Sequence, residues 1–330
     1  MKRIASSRAA ALAAMVLAVG PLAAAQNAGI PPEALSDAWW TGPLLAPNAA
    51  TLPRGHFYFE PYLYDSMPYA EFDAQGRAHP APYQNVFGSL SYLNYGLTDR
   101  VTIGMIPRFG YVKSADGPSS SGPGVGDLTL QAQYRLTPIE PHSRIPIASI
   151  NVQETLPLGR YDRLDRISDG FGSGAVTTTL STYFMWYFWL PTGRILRTRL
   201  DLSYAFASRV ALADVSVYGT PRGFRGHAQP GDTVFGDLAF EYSLTRNWVL
   251  ACDFWAERDG NTRVSGTIAG PGPALSFASD TGVGRVLYAA PALEYNWTSR
   301  LGVILGARVV AVARNETGTV TPVAAISYFH

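Results

Sequence analysis

The chain has 330 residues, 47% of them apolar and 15% charged, with a formal net charge of +1 and a single cysteine. So even a balance excludes a nucleic-acid binder held by bulk charge, and one cysteine excludes an internal disulfide framework. Mean hydropathy is near neutral, and no apolar run of about 18 residues follows the first two dozen, which excludes a membrane-crossing helix.

In chain order, residues 1–25 read as a secretory signal peptide. Lys2, Arg3 and Arg8 form its charged start, Ala9 to Val19 its apolar run, and Ala23-Ala24-Ala25 its small-residue cleavage site. The mature chain left behind is slightly acidic. Residues 26–54 carry Trp39-Trp40-Thr41-Gly42-Pro43 among proline and glycine, with no period of two. They read as an N-terminal arm on the periplasmic side, and the Trp39–Trp40 pair argues against full disorder, since disordered segments are poor in aromatics.

From residue 55 to 330 the period is two. Candidate strands fall at 56–65, 85–97, 101–112, 126–136, 145–156, 175–190, 195–210, 233–244, 248–257, 284–297, 301–313 and 319–329. In the fourth, Leu128, Leu130, Ala132, Tyr134 and Leu136 share one face, and Asp127, Thr129, Gln131, Gln133 and Arg135 the other. One turn signature recurs: Tyr95-Gly96-Leu97-Thr98, Tyr134-Arg135-Leu136-Thr137, Tyr242-Ser243-Leu244-Thr245 and Tyr295-Asn296-Trp297-Thr298. Aromatics two positions before Leu or Trp at strand ends are what a membrane-interface girdle requires. Connections alternate, short at Asp99, Thr192, Arg246 and Ser299, long over 66–84, 113–125, 157–174, 211–232 and 258–283.

The reading is an all-β fold: a transmembrane antiparallel β-barrel of twelve strands in the bacterial outer membrane, with short periplasmic turns and long outer loops. A soluble β-sandwich has the same alternation, but accounts for neither the girdle nor the lopsided loops. Pro61, Pro107, Pro146, Pro291 and Pro322 fall inside candidate strands and must sit at bulges or near rims, because a closed barrel has no edge to hide them. The last strand ends in His330 where an aromatic residue usually stands.

Leu156-Pro157-Leu158-Gly159-Arg160-Tyr161-Asp162, the glycine-rich 170–174 segment, and the strand starts Gly126-Asp127-Leu128 and Gly236-Asp237-Leu238 resemble those of an outer-membrane family called the meta-pathway phenol degradation proteins. Trp40-Thr41-Gly42-Pro43 and Leu52-Pro53-Arg54-Gly55-His56 fit one branch of it. The resemblance implies a barrel associated with uptake of aromatic or other apolar compounds.

Catalytic patterns are weak. His56, His79, His142, His227 and His330 lie beside no Ser in a recognisable constellation. Asp162, Asp165 and Asp169 lack calcium-loop spacing, and the 170–174 segment lacks dinucleotide spacing. No catalytic residue, metal or cofactor is assigned. What remains is the lumen. The face assignment turns Glu60, Arg108, Asp127, Arg135, Arg197, Arg199, Asp201, Asp237, Glu241, Asp253, Glu257, Glu294 and Arg308 inward. They either pair across strands and fill the barrel or line a pore and set its selectivity. The favoured function is passive diffusion of small apolar or aromatic compounds. The alternatives are a structural or receptor barrel acting through its outer loops, and a lipid-modifying barrel enzyme. The implied partners are the bilayer and its outer-membrane lipids, a small apolar solute and the outer-membrane assembly machinery, with no nucleic acid.

Overall fold

A computed structural model describes residues 31–270 and 272–330. The segment read as a signal peptide and the first residues of the arm lie outside the described residues. A strand inside a bilayer has no water to satisfy its backbone, so each amide and carbonyl must pair sideways until the sheet closes. After a short 3-10 turn at Leu35–Asp37, β1 (Phe57–Phe72) leads through the two-residue β2 (Ala78–His79) into β3 (Gln84–Thr98). β4 (Val101–Ile106) and β5 (Arg108–Ser114) form one wall strand broken at Pro107. β6 (Gly124–Val125) and β7 (Leu128–Arg135) form another, broken at Gly126 and Asp127. β8 (Ile147–Leu156), β9 (Thr177–Trp189) and β10 (Ile195–Ala207) cross in turn. β11 (Val210–Ala213) and β12 (Phe224–Gln229) leave the wall, and β13 (Thr233–Ser243) and β14 (Trp248–Asp259) return to it. β15 (Arg263–Ile268) and β16 (Leu275–Asp280) leave again before β17 (Gly284–Asn296), β18 (Leu301–Arg314) and β19 (Glu316–Phe329) complete it.

Wall strands pair antiparallel with their neighbours, and β1 pairs with both β3 and β19, so the sheet is a closed barrel. With β4/β5 and β6/β7 counted as single strands the wall has twelve, the architecture the alternation predicts. The faces follow the pleat. In β13, Val234 and Leu238 are exposed while Asp237, Ala239, Glu241 and Ser243 are buried. At the short-turn end Trp248 packs on Tyr295 with centroids 4.6 Å apart, and Tyr295 on Trp297 at 5.3 Å.

Wall prolines sit where a ladder lapses. The β1–β19 register skips Glu60 and Pro61, the β17–β18 register skips Ala290 and Pro291, and the β1–β19 register lapses again opposite Pro322. Each proline therefore keeps a partner strand on one side and costs no amide bond on the other.

By sequence the connections at 211–232 and 258–283 read as long loops. Instead they hold a second sheet in the order β11-β12-β15-β16, with Val210, Leu212, Phe224, Ala228 and Val264 buried together. Glycines suggested loops there, but Gly226 and Gly266 are directly opposed across β12 and β15.

Candidate functional site

The arm enters the lumen at the short-turn end. Glu33 receives the Ser243 hydroxyl at 2.6 Å and the Arg194 guanidinium at 2.8 Å, and its carbonyl accepts the Trp189 indole N–H at 2.8 Å. Beyond the turn, the Thr41 and Gly42 amides donate to the Glu294 carboxylate at 2.6 and 3.2 Å. The Leu44, Leu45 and Ala46 amides donate to Asp253 at 3.0, 3.2 and 3.0 Å. The Asn48 and Ala49 carbonyls accept from Gln133, the Thr51 hydroxyl from Arg135, and the Leu52 amide donates to the Thr102 hydroxyl. The arm thus runs from β14 and β17 to β7 and β4, across the barrel. An irregular segment makes no ladder of its own, so lumen side chains must satisfy its backbone. Gly42 has φ +131°, a region closed to other residues without strain, and a Cβ there would lie 3.4 Å from the Arg199 guanidinium.

A charged group sits beneath the arm. Arg197 and Arg199 both donate to the fully buried Glu241 carboxylate, Arg199 through Nε at 2.9 Å, and Arg199 also donates to the Ala46 carbonyl at 2.9 Å. The Arg197 guanidinium stacks over Trp40 at 4.5 Å, and Arg246 over Trp39 at 4.8 Å. Two arginines sharing one carboxylate leave a surplus positive charge near Asp253 and Glu294, the two carboxylates that hold the arm. Arg197, Arg199, Glu241, Asp253 and Glu294 therefore form one constellation with Trp40.

The other inward candidates are scattered. Glu60 is buried between Tyr58 and Tyr62 on β1. Asp201 accepts from Ser203 at 2.8 Å and lies opposite Asp237, whose two carboxylate oxygens have no protein partner. Glu257 accepts the Trp255 indole N–H at 2.8 Å, and Arg308 stacks on Tyr64 at 5.6 Å. Arg108 is exposed, opposite Leu90 just past the Pro107 break. Arg135 works at the short-turn rim, donating to the Asp99 and Thr137 carbonyls at 3.0 and 2.7 Å. Asp127 belongs to the long-loop end, accepting the Gly159 amide at 3.0 Å and the Ser173 amide at 2.7 Å.

Charge alone does not reveal the aromatics of the lumen. Tyr62 is buried and packs edge-on to Tyr92 at 5.9 Å, with Tyr64 beside them, while Tyr183 donates its face to the buried cluster around Met185 and Ala49. Phe235 stacks on Trp255 at 4.5 Å. The signal was parity: Tyr58, Tyr62 and Tyr64 share their pleat face with Glu60. Tyrosine suits lipid interface and polar interior alike, so parity with a charged neighbour is what separates them.

At the long-loop end the 157–174 connection folds onto its neighbours. A Cβ on Gly159 would fall 2.6 Å from the Gly172 Cα, so the two strands of this loop close on each other only as glycines. The Tyr218 hydroxyl donates to the Ser173 carbonyl at 2.7 Å, and burial pushes its pKa up to about 12, aided by the Asp127 charge.

The family model described as MetA-pathway of phenol degradation matches residues 75–319. The chain belongs to that family. The match begins in the connection after β1 and ends in the first residues of β19. Among solved structures, the COG4313 outer membrane channel from Pseudomonas putida F1 aligns over 87% of this chain and 100% of its own, with 18% identity and a TM-score of 0.62. The β domain of the Bordetella autotransporter BrkA aligns over 83% of this chain and 99% of its own, with 10% identity and a TM-score of 0.45. The Ralstonia pickettii toluene transporter TbuX aligns over 89% and 95%, with 9% identity and a TM-score of 0.37. The first likeness shows that the fold is that of a bacterial outer-membrane barrel; the other two superpose too loosely to carry an argument. No curated protein matches the sequence.

Proposed function

We propose that this member of the phenol-degradation family is an outer-membrane channel for passive diffusion of small apolar or aromatic compounds, with its long loops outside and its arm at the periplasmic end. The observation that carries the reading is an aromatic-rich lumen crossed by a hydrogen-bonded arm. Tyr64, Tyr92, Phe235 and Trp255, the first two packed against buried Tyr62, offer flat apolar surface to an aromatic solute. The arm bars the short-turn end and is held chiefly by Asp253 and Glu294, contacts that water can replace. The matched channel from Pseudomonas putida F1 supports the fold, and the family description supports the solute class. Of the thirteen inward charges, Arg135, Arg197, Arg199, Glu241, Asp253 and Glu294 act on or beneath the arm and Asp127 on the loops; of the other six, Glu60, Asp201, Asp237 and Glu257 are acidic, and Arg108 and Arg308 are the basic groups left to meet solute.

Deleting residues 28–49 tests this reading. Single-channel conductance and the flux of phenol or toluene into proteoliposomes should both rise. Unchanged conductance and flux would reject the arm as the barrier, and flux equal to that of protein-free vesicles in both forms would reject the channel.

The buried core around Phe224 favours a second reading, a receptor that binds through its outer sheet. A barrel lacking 210–229 and 263–280 would then lose a surface ligand while conducting as before. Three of the histidines that a lipid-modifying enzyme would draw on have other partners: the His56 and His79 rings bond to the Arg54 carbonyl and Asp73, and His142 stacks on Trp189.

A further inference from the structure

Arg258, Arg285 and Arg314 form a row on the outside of the wall. Arg258 on β14 is directly opposite Arg285 on β17, and Arg285 directly opposite Arg314 on β18. All three are exposed and project from the outward face, between buried neighbours Gly284, Val286 and Ala313. Adjacent strands lie about 5 Å apart, so the row packs three positive charges into about 10 Å, and like charges directly opposite destabilise a sheet. Among the described residues no carboxylate forms an ion pair with them. Glu257, Asp259 and Glu316 lie close in sequence, but Asp259 is bonded to Thr233, Glu257 to Trp255, and none pairs with the row.

Height along the barrel supplies a second, independent observation. Trp248 and Tyr295 pair across β14 and β17 at the short-turn girdle, and Arg258 and Arg285 pair ten residues further along the same two strands. Ten residues at about 3.3 Å, on strands tilted about 40°, climb about 25 Å, which is the height of the apolar band of such barrels. The outward residues in between, Leu250, Phe254, Leu287, Leu293, Val303, Leu305 and Val312, carry no charge. The row therefore lies where the hydrocarbon ends and the headgroups of the outer leaflet begin.

We infer that Arg258, Arg285 and Arg314 bind the phosphorylated headgroup of an outer-leaflet glycolipid. Guanidinium forks match phosphate oxygens bidentately, and a diphosphorylated headgroup supplies anions spaced to bridge three arginines that otherwise repel one another. The inference rests on the outer-membrane orientation proposed above and not on which solute passes, so it survives or fails separately from the channel.

The test titrates the full barrel in neutral detergent with diphosphoryl lipid A, its dephosphorylated form, phosphatidylglycerol and inorganic pyrophosphate, reading bound lipid by native mass spectrometry. Diphosphoryl lipid A should bind best. Loss of its phosphates, or the triple substitution R258Q, R285Q and R314Q, should weaken binding about a hundredfold, and R285Q alone about fivefold, at the strength expected per arginine near an anionic surface. Equal binding of the dephosphorylated lipid, of phosphatidylglycerol, or by the triple variant would overturn the inference, as would displacement by equimolar pyrophosphate. Should the triple variant fail to fold, R285Q and the dephosphorylated lipid decide alone. Cleavage on intact cells at a protease site inserted within 219–225 checks the orientation on its own.

Discussion

At the short-turn end the lumen is crossed by an arm whose amides bond to Asp253 and Glu294, whereas at the long-loop end the chain folds four short strands over Phe224 and Val264. The first region exchanges water hydrogen bonds for protein ones to carboxylates, each returning about 1.5–3 kcal/mol net. Fixing each arm residue costs about 1–2 kcal/mol in backbone entropy. The second region removes apolar surface from water, with one aromatic ring worth about 1.5–3 kcal/mol. The arm is thus poised near balance while the outer sheet is not, so the arm is the part of the molecule able to move.

The sharpest way to break this comparison is Glu241→Ala. It strands Arg197 and Arg199 in a buried site, and losing one partner of a buried pair costs about 3–5 kcal/mol. Heat-modifiable migration and the urea midpoint should fall together, and replacing Arg197, Arg199 and Glu241 all by apolar residues should recover most of the loss. A Glu241→Ala barrel as stable as the original would mean that the buried charges hold nothing. Phe224→Ala comes next. Emptying a fully buried aromatic site costs about 3–5 kcal/mol, here confined to the outer sheet. Protease should then cut within 210–229 while the barrel keeps its migration; loss of the whole barrel would show that the sheet is not a separate unit.

Asp253→Ala acts on the arm. Three amides lose a charged acceptor, each such bond being worth about 1.5–3 kcal/mol, and conductance should rise with little change in urea midpoint. A fall in the midpoint equal to that of Glu241→Ala would place Asp253 in the wall's stability instead. The smallest effect concerns the first outer turn. The His79 ring, then the Arg77 and Gln75 amides, hold the Asp73 carboxyl well below its usual pKa. A depressed carboxylate contributes its stability in full above its unfolded pKa of about 4 and loses it as pH falls below that toward the folded value. Amide exchange at Gln75 and Arg77 should therefore be flat from neutral pH to about 4 and show growing exposure only in stronger acid; exposure already increasing near pH 6 would contradict the assignment.

The wall was legible because lipid and lumen impose opposite polarity on alternate residues, so Leu128 to Leu136 and Leu238 to Leu244 declare both period and face. The outer sheet was not. Phe224–Gln229 and Arg263–Ile268 are short, and each carries a central glycine where two strands approach closely, and glycine is also the mark of a loop. Within the candidate site, ionised residues betray their face but not their partner. Nothing in the pleat of β14 says that Asp253 bonds to backbone amides some two hundred residues earlier. The tyrosines were obscured by their own versatility, and only their parity with Glu60 places them.

The seam between the first and last strands carries one more consequence. Phe57 and His330 exchange backbone bonds at 3.2 and 2.9 Å, and the His56 ring stacks on Phe329 at 5.2 Å. The arm ends immediately before this seam, and its anchors are remote: Thr41 reaches Glu294 across 253 positions and Leu44 reaches Asp253 across 209. Contacts so distant along the chain form late, after local hairpins have zipped. During assembly the chain is therefore an open, curved sheet with a loose leading end, and neither anchor strand exists until most of the wall has been laid down. Circularisation and plugging thus both fall late in assembly, once β14 and β17 are in place to receive the arm.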